Sequence, residues 1–229
     1  MWWRARKECD DERMIELWND DCLSRMRMMA DESVESVVTD PPYGRNWSQG
    51  NIKGPARSDA SAGIANDRDT TVRDAALELW GDRPGILFGD LMLAPPAGTR
   101  LVGVYHKASG SEGLRGAIAG VRRDCEAIYL TGSWPSGLGG RSSLFRTNLQ
   151  ISGASGVVAS SGGHPHTKPR DVMLALIDIT EGVIADPFMG SGSTLRAAKD
   201  LGRRAIGVEL EERFCEIAAS RMGQEVLAL

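Results

Sequence analysis

Short apolar runs alternate with amphipathic segments along most of this chain, and that alternation restricts its fold more than any other feature. Apolar positions three or four residues apart indicate helices, and short β-branched or apolar runs indicate strands. Such alternation favours an α/β fold, a mostly parallel sheet with helices on both faces. Predicted strands cover 13–18, 36–39, 85–88, 101–105, 126–131, 182–185 and 204–208, and predicted helices cover 22–29, 72–80, 169–179, 194–201 and 211–222.

Length and composition favour one water-soluble domain. The chain has 229 residues, of which 41% are hydrophobic and 25% charged, the usual balance of a globular protein. No apolar run is long enough to span a bilayer and no signal-peptide stretch follows Met1, so we expect a cytoplasmic protein without a membrane partner. The four cysteines form no Cys-x-x-Cys pair and no cluster with histidine at a metal-ligand spacing, so we expect reduced thiols and no metal.

The charge is unevenly distributed along the chain. The formal net charge of −4 does not by itself indicate nucleic-acid binding. Residues 100–170, however, contain nine lysines and arginines against three acidic residues. Basic residues gathered on one face can bind a polyanion whatever the net charge. A solvated surface explains the same distribution about as well.

Acidic residues follow four of the predicted strands. Asp21, Asp40, Asp186 and Glu209 all fall at predicted strand ends. In α/β sheets, ligands bind in the crevice beyond the carboxyl ends of the strands. These four carboxylates are therefore candidates for one shared ligand site.

The segment 186–194 is a glycine-containing turn between a predicted strand and a predicted helix. Gly190 and Gly192 allow a ligand to approach the backbone closely. Glu209 follows about twenty residues on, where a carboxylate can accept both hydroxyls of a ribose. The third glycine of the dinucleotide fingerprint and the lysine of a P-loop are both missing, which argues against NAD and ATP. The turn predicts a nucleoside-containing cofactor, and an ordinary strand-to-helix turn is the alternative.

Residues 40–43, Asp-Pro-Pro-Tyr, form a rigid turn. Prolines have no N–H, so the Asp40 carboxylate and the Pro41 carbonyl stand together as acceptors that suit the two donors of an amino group. Tyr43 supplies a face on which a base can stack. Holding both hydrogens of an exocyclic amine frees its lone pair for attack on a methyl group, and a base in a duplex must be flipped out to reach such a pocket. A plain proline turn with an exposed tyrosine is the alternative.

Three segments together resemble the DNA amino-methyltransferases. Residues 40–43 look like the family's catalytic motif, residues 186–194 look like its cofactor loop, and residues 164–169 are similar to its His-Pro-Thr-x-Lys-Pro segment. The catalytic motif comes first, which is the order called the beta group. The resemblance implies a Rossmann-like methyltransferase fold in a single domain, with a catalytic half at about 13–130 and a cofactor-binding half at about 164–229.

The resemblance also implies roles for individual residues. Asp40, Pro41, Pro42 and Tyr43 hold the target base. S-adenosylmethionine is the implied cofactor, with its adenine at Asp21 or the neighbouring Asp20, its ribose at Glu209 and its carboxylate near Thr167 and Lys168. His166 occupies the position of the family's usual threonine. The role implied for Thr167 therefore departs from the family's pattern. The methionine part of the cofactor lies along the loop that contains Asp186, Phe188, Gly190 and Gly192.

The middle of the chain, residues 44–163, contains no family motif. Residues 44–70 are predicted to form a long loop. The Gly/Ser-rich segment at about 132–163 is the candidate target-recognition segment, because Arg141 and Arg146 could read DNA, although a flexible surface loop has about equal weight. Arg122 and Arg123 either contact phosphate or are simply solvated.

Together these features predict a site-specific methyltransferase that modifies adenine N6 in double-stranded DNA with base flipping. An aspartate at the catalytic position leans toward adenine in the family, and N4-cytosine methylation or a catalytically inactive DNA-binding relative are the alternatives. The family often forms dimers, so a homodimer is possible. Any restriction–modification role would need a separate nuclease.

Overall fold

Eight strands and five helices make up the fold in the computed structural model, which describes residues 14–29, 34–46, 64–107, 118–121, 124–136, 140–147 and 167–223. The strands are β1 (Ile15–Asn19), β2 (Ser36–Thr39), β3 (Gly85–Gly89), β4 (Thr99–His106), β5 (Cys125–Thr131), β6 (Leu144–Arg146), β7 (Ile184–Asp186) and β8 (Ala205–Glu209). The helices are α1 (Cys22–Met28), α2 (Thr71–Trp80), α3 (Arg170–Ile177), α4 (Ser193–Asp200) and α5 (Glu212–Gly223).

All eight strands form one sheet in the order β1-β8-β7-β2-β3-β5-β4-β6. The five strands from β1 to β3 in that order run parallel, whereas β5 is antiparallel to both β3 and β4. The predicted α/β fold with a mostly parallel sheet is therefore confirmed. Because β2 pairs with β7, the early and late parts of the chain meet in the middle of the sheet.

Hydrophobic side chains cover both faces of the sheet, because successive residues of a strand point to opposite sides. Val38 and Ile184 belong to a core cluster that includes residues of α3, α4 and α5. Their neighbours Val37 and Ala185 belong to a second cluster with Trp80 of α2. Burying a side chain of this size contributes roughly 1.5–3 kcal/mol. The two clusters hold the central strands, and so their carboxyl ends, between two layers of helices.

The edge of the sheet differs from the sequence prediction. Residues 140–147 of the predicted recognition segment contain the short strand β6, which pairs in parallel with Val104, Tyr105 and His106 of β4. No such strand was predicted in this Gly/Ser-rich stretch. The predicted residues Arg122, Arg123 and His166 and most of the predicted loop at 44–70 lie outside the described residues. Within the described ranges, no helix has both the length and the apolarity to cross a bilayer.

Candidate functional site

The Asp-Pro-Pro-Tyr turn and the glycine loop lie side by side at the carboxyl edge of the sheet. The turn follows β2 and the loop follows β7, and these two strands are parallel neighbours. The Thr39 hydroxyl donates a hydrogen bond of 2.6 Å to Oδ1 of Asp186. The Thr194 hydroxyl donates to the Val38 carbonyl at 3.3 Å. These contacts bring the two motifs together, as a shared cleft requires.

Both carboxylate oxygens of Asp40 have a partner. The Tyr43 hydroxyl donates to Oδ1 at 2.7 Å, and the ammonium of Lys168 donates to Oδ2 at 2.5 Å. The Lys168 side chain is only 7% exposed. Hydrogen bonds between charged groups are the strong ones, so the Lys168 contact fixes the orientation of Asp40.

A second carboxylate, Glu126, completes this polar cluster. One oxygen, Oε1, lies 2.9 Å from the ammonium of Lys107, and the other, Oε2, lies 3.3 Å from the ammonium of Lys168. The Tyr43 hydroxyl oxygen also lies 3.3 Å from Oε2. The sequence analysis predicts Glu126 only as the start of a strand. Its place in the site could not be predicted, because its partners come from distant segments. The cluster thus contains two carboxylates and two ammonium groups.

Burial and mutual attraction govern ionisation in this cluster. Burial favours a higher pKa for Glu126, but the ammonium groups of Lys168 and Lys107 outweigh it and hold that pKa at about 2. Burial favours a lower pKa for Lys168, but Asp40 and Glu126 raise it above its ordinary value. Burial and the same two carboxylates raise the pKa of Tyr43 well above 10. At neutral pH Glu126 and Lys168 are therefore charged, and Tyr43 is a neutral donor.

Asp186, the first residue of the glycine loop, is almost fully buried. Its Oδ1 accepts hydrogen bonds from the Thr39 hydroxyl and, at 3.1 Å, from the Phe188 amide. Burial raises the pKa of Asp186 to about 7, although the Thr194 and Thr39 hydroxyls and the Phe188 amide lower it in part. Asp186 therefore exchanges its proton near neutral pH.

Glu209 lies at the end of β8 beside the glycine loop. Its Oε2 accepts the Gly190 amide at 2.9 Å and its Oε1 accepts the Glu211 amide at 2.8 Å. Burial raises its pKa, and the two amides offset part of that rise. Each carboxylate oxygen keeps a further lone pair for a ligand.

The neighbouring strand brings the predicted adenine-binding residues to the same place. The Asp20 amide donates to the Glu209 carbonyl at 3.1 Å, since β1 pairs with β8. The Asp21 carboxylate caps helix α1 by accepting the Ser24 amide at 2.8 Å. That cap fixes the position of Asp21 beside the end of β8.

Thr167 and Lys168, predicted to lie near the cofactor's carboxylate, point to different parts of the site. The Thr167 hydroxyl lies 3.1 Å from the hydroxyl of Ser191 in the glycine loop. Lys168 instead contacts Asp40 in the other turn. Consecutive residues thus connect the two motifs.

Gly192 is required by both conformation and space. It has a φ of +79°, a region that L side chains rarely adopt. A Cβ at this position would lie 3.1 Å from the Cβ of Ala218 in α5. A larger residue here would therefore be strained in its backbone and would press against α5.

The two described candidate DNA-binding arginines are exposed. Arg141 lies 2.6 Å from Asp178, and both side chains are more than half exposed. Arg146 lies on the edge strand β6. Within the described part of the chain, neither arginine contacts the Asp-Pro-Pro-Tyr turn.

One group of potential metal ligands lies elsewhere on the sheet. The ligand atoms of His106, Asp124 and Cys125 lie within 4.8 Å of one another, where β4 meets β5. His106 lies too far from the adjacent residues Asp124 and Cys125 in the sequence for the three to form a spacing motif. All three are half-buried, and ordinary hydrogen bonding between them accounts for the contacts of Asp124.

Comparison with known proteins identifies the family. The family model for DNA methylases of the N6/N4 type matches residues 122–220. The Escherichia coli (strain K12) protein named "Putative methylase YubD" is 30% identical over 224 residues, which cover 91% of this chain and 88% of YubD. The chain belongs to the DNA amino-methyltransferase family. The predicted family resemblance is thereby confirmed.

Other members of the family match over a shorter region. The type II methyltransferase M.HindIII of Haemophilus influenzae is 45% identical over 67 residues, which cover 28% of this chain and 22% of M.HindIII. For M2.DpnII of Streptococcus pneumoniae the identity is 43% over 68 residues, 28% of this chain and 25% of that protein. The matched region thus covers about a quarter of the length of each of these type II relatives.

Solved structures confirm the methyltransferase fold. The M1.HpyAVI complex with S-adenosylmethionine superposes with a TM-score of 0.63 at 19% identity, over 92% of this chain and all of the other. The PvuII DNA methyltransferase, a cytosine-N4-specific enzyme, has a TM-score of 0.63 at 15% identity, over 94% of this chain and 89% of the other. At these identities the likeness establishes the fold of this family member.

Proposed function

We propose that this protein transfers a methyl group from S-adenosylmethionine to an exocyclic amino group of DNA, with adenine N6 as the target. The observation that carries the proposal is the hydrogen bond that joins the catalytic turn to the cofactor loop, from Thr39 to Asp186. It joins the turn that we propose binds the amine to the loop that we propose binds the nucleoside, at one edge of the sheet. Family membership supports the reaction class.

The glycine loop and its surroundings fit S-adenosylmethionine. Glu209 offers carboxylate lone pairs to a ribose, and Asp20 and Asp21 lie beside it at the end of β1. The left-handed Gly192, whose Cβ position faces Ala218 of α5, lets the loop turn directly into helix α4. Phe188 and Gly190 belong to the same loop. The cofactor supplies a methyl group on a positively charged sulfur.

Asp40 and Pro41 would bind the target amine. The Asp40 carboxylate and the Pro41 carbonyl accept its two N–H groups, and Pro42 keeps the turn rigid. The amine nitrogen then uses its lone pair to form the new N–C bond, while the C–S bond breaks and its electrons go to sulfur. The nitrogen loses one proton, for which Asp40 is an adjacent acceptor. Tyr43 lies beside the base and holds Asp40 in place.

The choice of adenine rests on Asp40. Among the DNA amino-methyltransferases that this chain resembles, an aspartate at the catalytic position leans toward adenine. The structural likeness to a cytosine-N4-specific enzyme supports cytosine N4 as the second candidate. Both bases present an amino group next to a ring nitrogen, so the turn could bind either one.

We also propose that double-stranded DNA is bound with the target base flipped out, since the amine of a paired base cannot reach Asp40. The segment at about 132–163 would recognise the sequence, with Arg146 on β6 and Arg141 as contacts to DNA. Arg122 and Arg123 would contact phosphate. A homodimer stays a prediction.

Methyl transfer from labelled S-adenosylmethionine to unmethylated duplex DNA tests the proposal. The unsubstituted protein should label DNA, and Asp40→Ala should lower the rate by ~100-fold or more, the range typical of a lost catalytic acid or base. The Kd for S-adenosylmethionine should stay within about threefold, because Asp40 lies in the other turn. Asp74→Ala, at an exposed site on α2, is the matched control.

Digestion of the labelled DNA to nucleosides identifies the target. Label in N6-methyladenine supports adenine, and label in N4-methylcytosine supports the second candidate. DNA binding without any transfer would indicate an inactive relative. Loss of cofactor binding in Asp40→Ala would contradict the assigned roles.

A further inference from the structure

We propose that Glu126 is a positioning residue which draws the ammonium of Lys168 away from Asp40 when the target amine enters. The inference rests on the proposed function and adds a residue to it. In the sequence, Glu126 lies outside all of the motifs. It reaches the catalytic turn only because β5 lies next to β3 in the sheet.

The need for such a residue follows from how Asp40 is bound. An ammonium 2.5 Å from Oδ2 neutralises the charge that would attract an N–H group of the substrate. It would also repel the positive charge that develops on the amine nitrogen as the N–C bond forms. Electrostatic stabilisation of that charge is a large contribution to catalysis. Lys168 at its present position therefore opposes the reaction that Asp40 supports.

Lys168 cannot simply turn into solvent, because its side chain is 7% exposed. Its ammonium also lies 4.9 Å from the centroid of the Phe88 ring, which covers one side. A buried ammonium that loses its partner carries a large desolvation cost. It therefore needs another anionic partner within a short movement of its present position.

Glu126 meets that requirement. Its Oε2 lies 3.3 Å from the Lys168 ammonium, so a small rotation of the lysine side chain would make Glu126 the main partner. The ammonium of Lys107 holds Oε1 at 2.9 Å and leaves Oε2 facing Lys168. The charge of the cluster stays balanced during the movement. Asp40 then has a free oxygen and its full negative charge.

The experiment combines Glu126→Gln with Lys168→Met in the full chain. Single-turnover methyl transfer to duplex DNA is measured with cofactor and DNA saturating. Glu126→Gln leaves Asp40 as the sole carboxylate for Lys168 in the described cluster, and should slow transfer by ~10-fold or more, within the coupling range of contacting residues. Lys168→Met, added to Glu126→Gln, should restore part of that rate. A purely structural role predicts that the second substitution lowers the rate further.

Two further readouts separate a change in catalysis from a loss of cofactor binding or of folded protein. The Kd for S-adenosylmethionine should change less than about threefold in Glu126→Gln, and thermal unfolding reports any loss of folded protein in each variant. Should Glu126→Gln fail to fold, Glu126→Asp keeps the charge at a shorter reach and should show the same rescue by Lys168→Met. Glu78→Gln, at an exposed site on α2, is the control for the change of residue type.

The outcomes are distinct. An active protein whose Glu126→Gln variant is slow and is rescued by Lys168→Met supports the inference. A Glu126→Gln variant with an unchanged rate, or a double variant slower than the single one, overturns the inference and leaves the proposed function intact. An unsubstituted protein that binds cofactor and DNA but transfers no methyl group overturns both.

Discussion

The hydroxyl of Thr39 donates a 2.6 Å hydrogen bond to the carboxylate of Asp186. Thr39 is the last residue before the proposed catalytic turn, and Asp186 is the first residue of the proposed cofactor loop. The bond is buried and joins two residues that are 147 positions apart in the chain. A change in the position of Asp186 would therefore be transmitted directly to Asp40.

The first prediction concerns the pH dependence of stability. Burial raises the pKa of Asp186 to about 7 in the folded protein from its ordinary value of 3.8, so folding takes up a proton between these pH values. This contribution to the free energy of unfolding is fully present below about pH 4 and is lost as the pH rises to about 7. Asp186→Asn does not titrate. Urea unfolding should show that the free energy of unfolding of the unsubstituted protein falls by about 2–3 kcal/mol relative to this variant between pH 5 and pH 8. Parallel curves for the two proteins would contradict the raised pKa.

The second prediction concerns the cofactor. Glu209→Gln removes a charged acceptor beside the Gly190 amide. Hydrogen bonds to a charged group contribute about 1.5–3 kcal/mol, so the Kd for S-adenosylmethionine should rise ~10–100-fold. Isothermal titration calorimetry measures the change, and Glu212→Gln, at an exposed position in α5, is the matched control. Equal affinities in the two variants would place the ribose elsewhere.

The third prediction separates strain from crowding. Gly192→Ala puts a Cβ at positive φ and 3.1 Å from Ala218, whereas Gly202→Ala puts one at a φ of +65° in open space. Left-handed backbone costs alanine about 1–2 kcal/mol. Gly202→Ala should show only that cost in the free energy of unfolding, and Gly192→Ala should lose more stability and also bind cofactor less tightly. Equal losses in both variants would mean that the contact with α5 is unimportant.

The fourth prediction concerns DNA. Arg146→Ala should weaken DNA binding and reduce the slope of log K against log salt by about 1, as expected for one lost phosphate contact. Arg141→Ala should have a smaller effect, because Arg141 already pairs with Asp178 and must give up that contact. Fluorescence anisotropy at several salt concentrations measures both slopes. An unchanged slope in Arg146→Ala would remove β6 from the DNA interface.

The parts of the fold that local sequence determines were predictable. Strands β2, β3 and β7 are short buried apolar runs, and the turns after β2 and β7 carry recognisable motifs. The neighbouring positions of Asp40 and Asp186 followed from the rule for carboxyl ends of parallel strands. These features depend on residues close together in the chain.

The missed features depend on pairing between distant segments. β6 has only three residues in a Gly/Ser-rich stretch, and it is a strand because it pairs with β4. Glu126 gains its role from the alignment of β5 with β3 and from lysines on two other segments. No local pattern marks either feature.

The place of β1 in the sheet has a consequence for biosynthesis. Its strand partner is β8, in which Glu209 lies 190 positions after Asn19. Because a ribosome makes the N-terminal end first, β1 is synthesised about 190 residues before its strand partner. Asp20, Asp21 and Glu209 can meet only after that point. Translation stalled before β8 would release a polypeptide in which Asp20 and Asp21 lack Glu209 beside them, whatever the state of the Asp-Pro-Pro-Tyr turn.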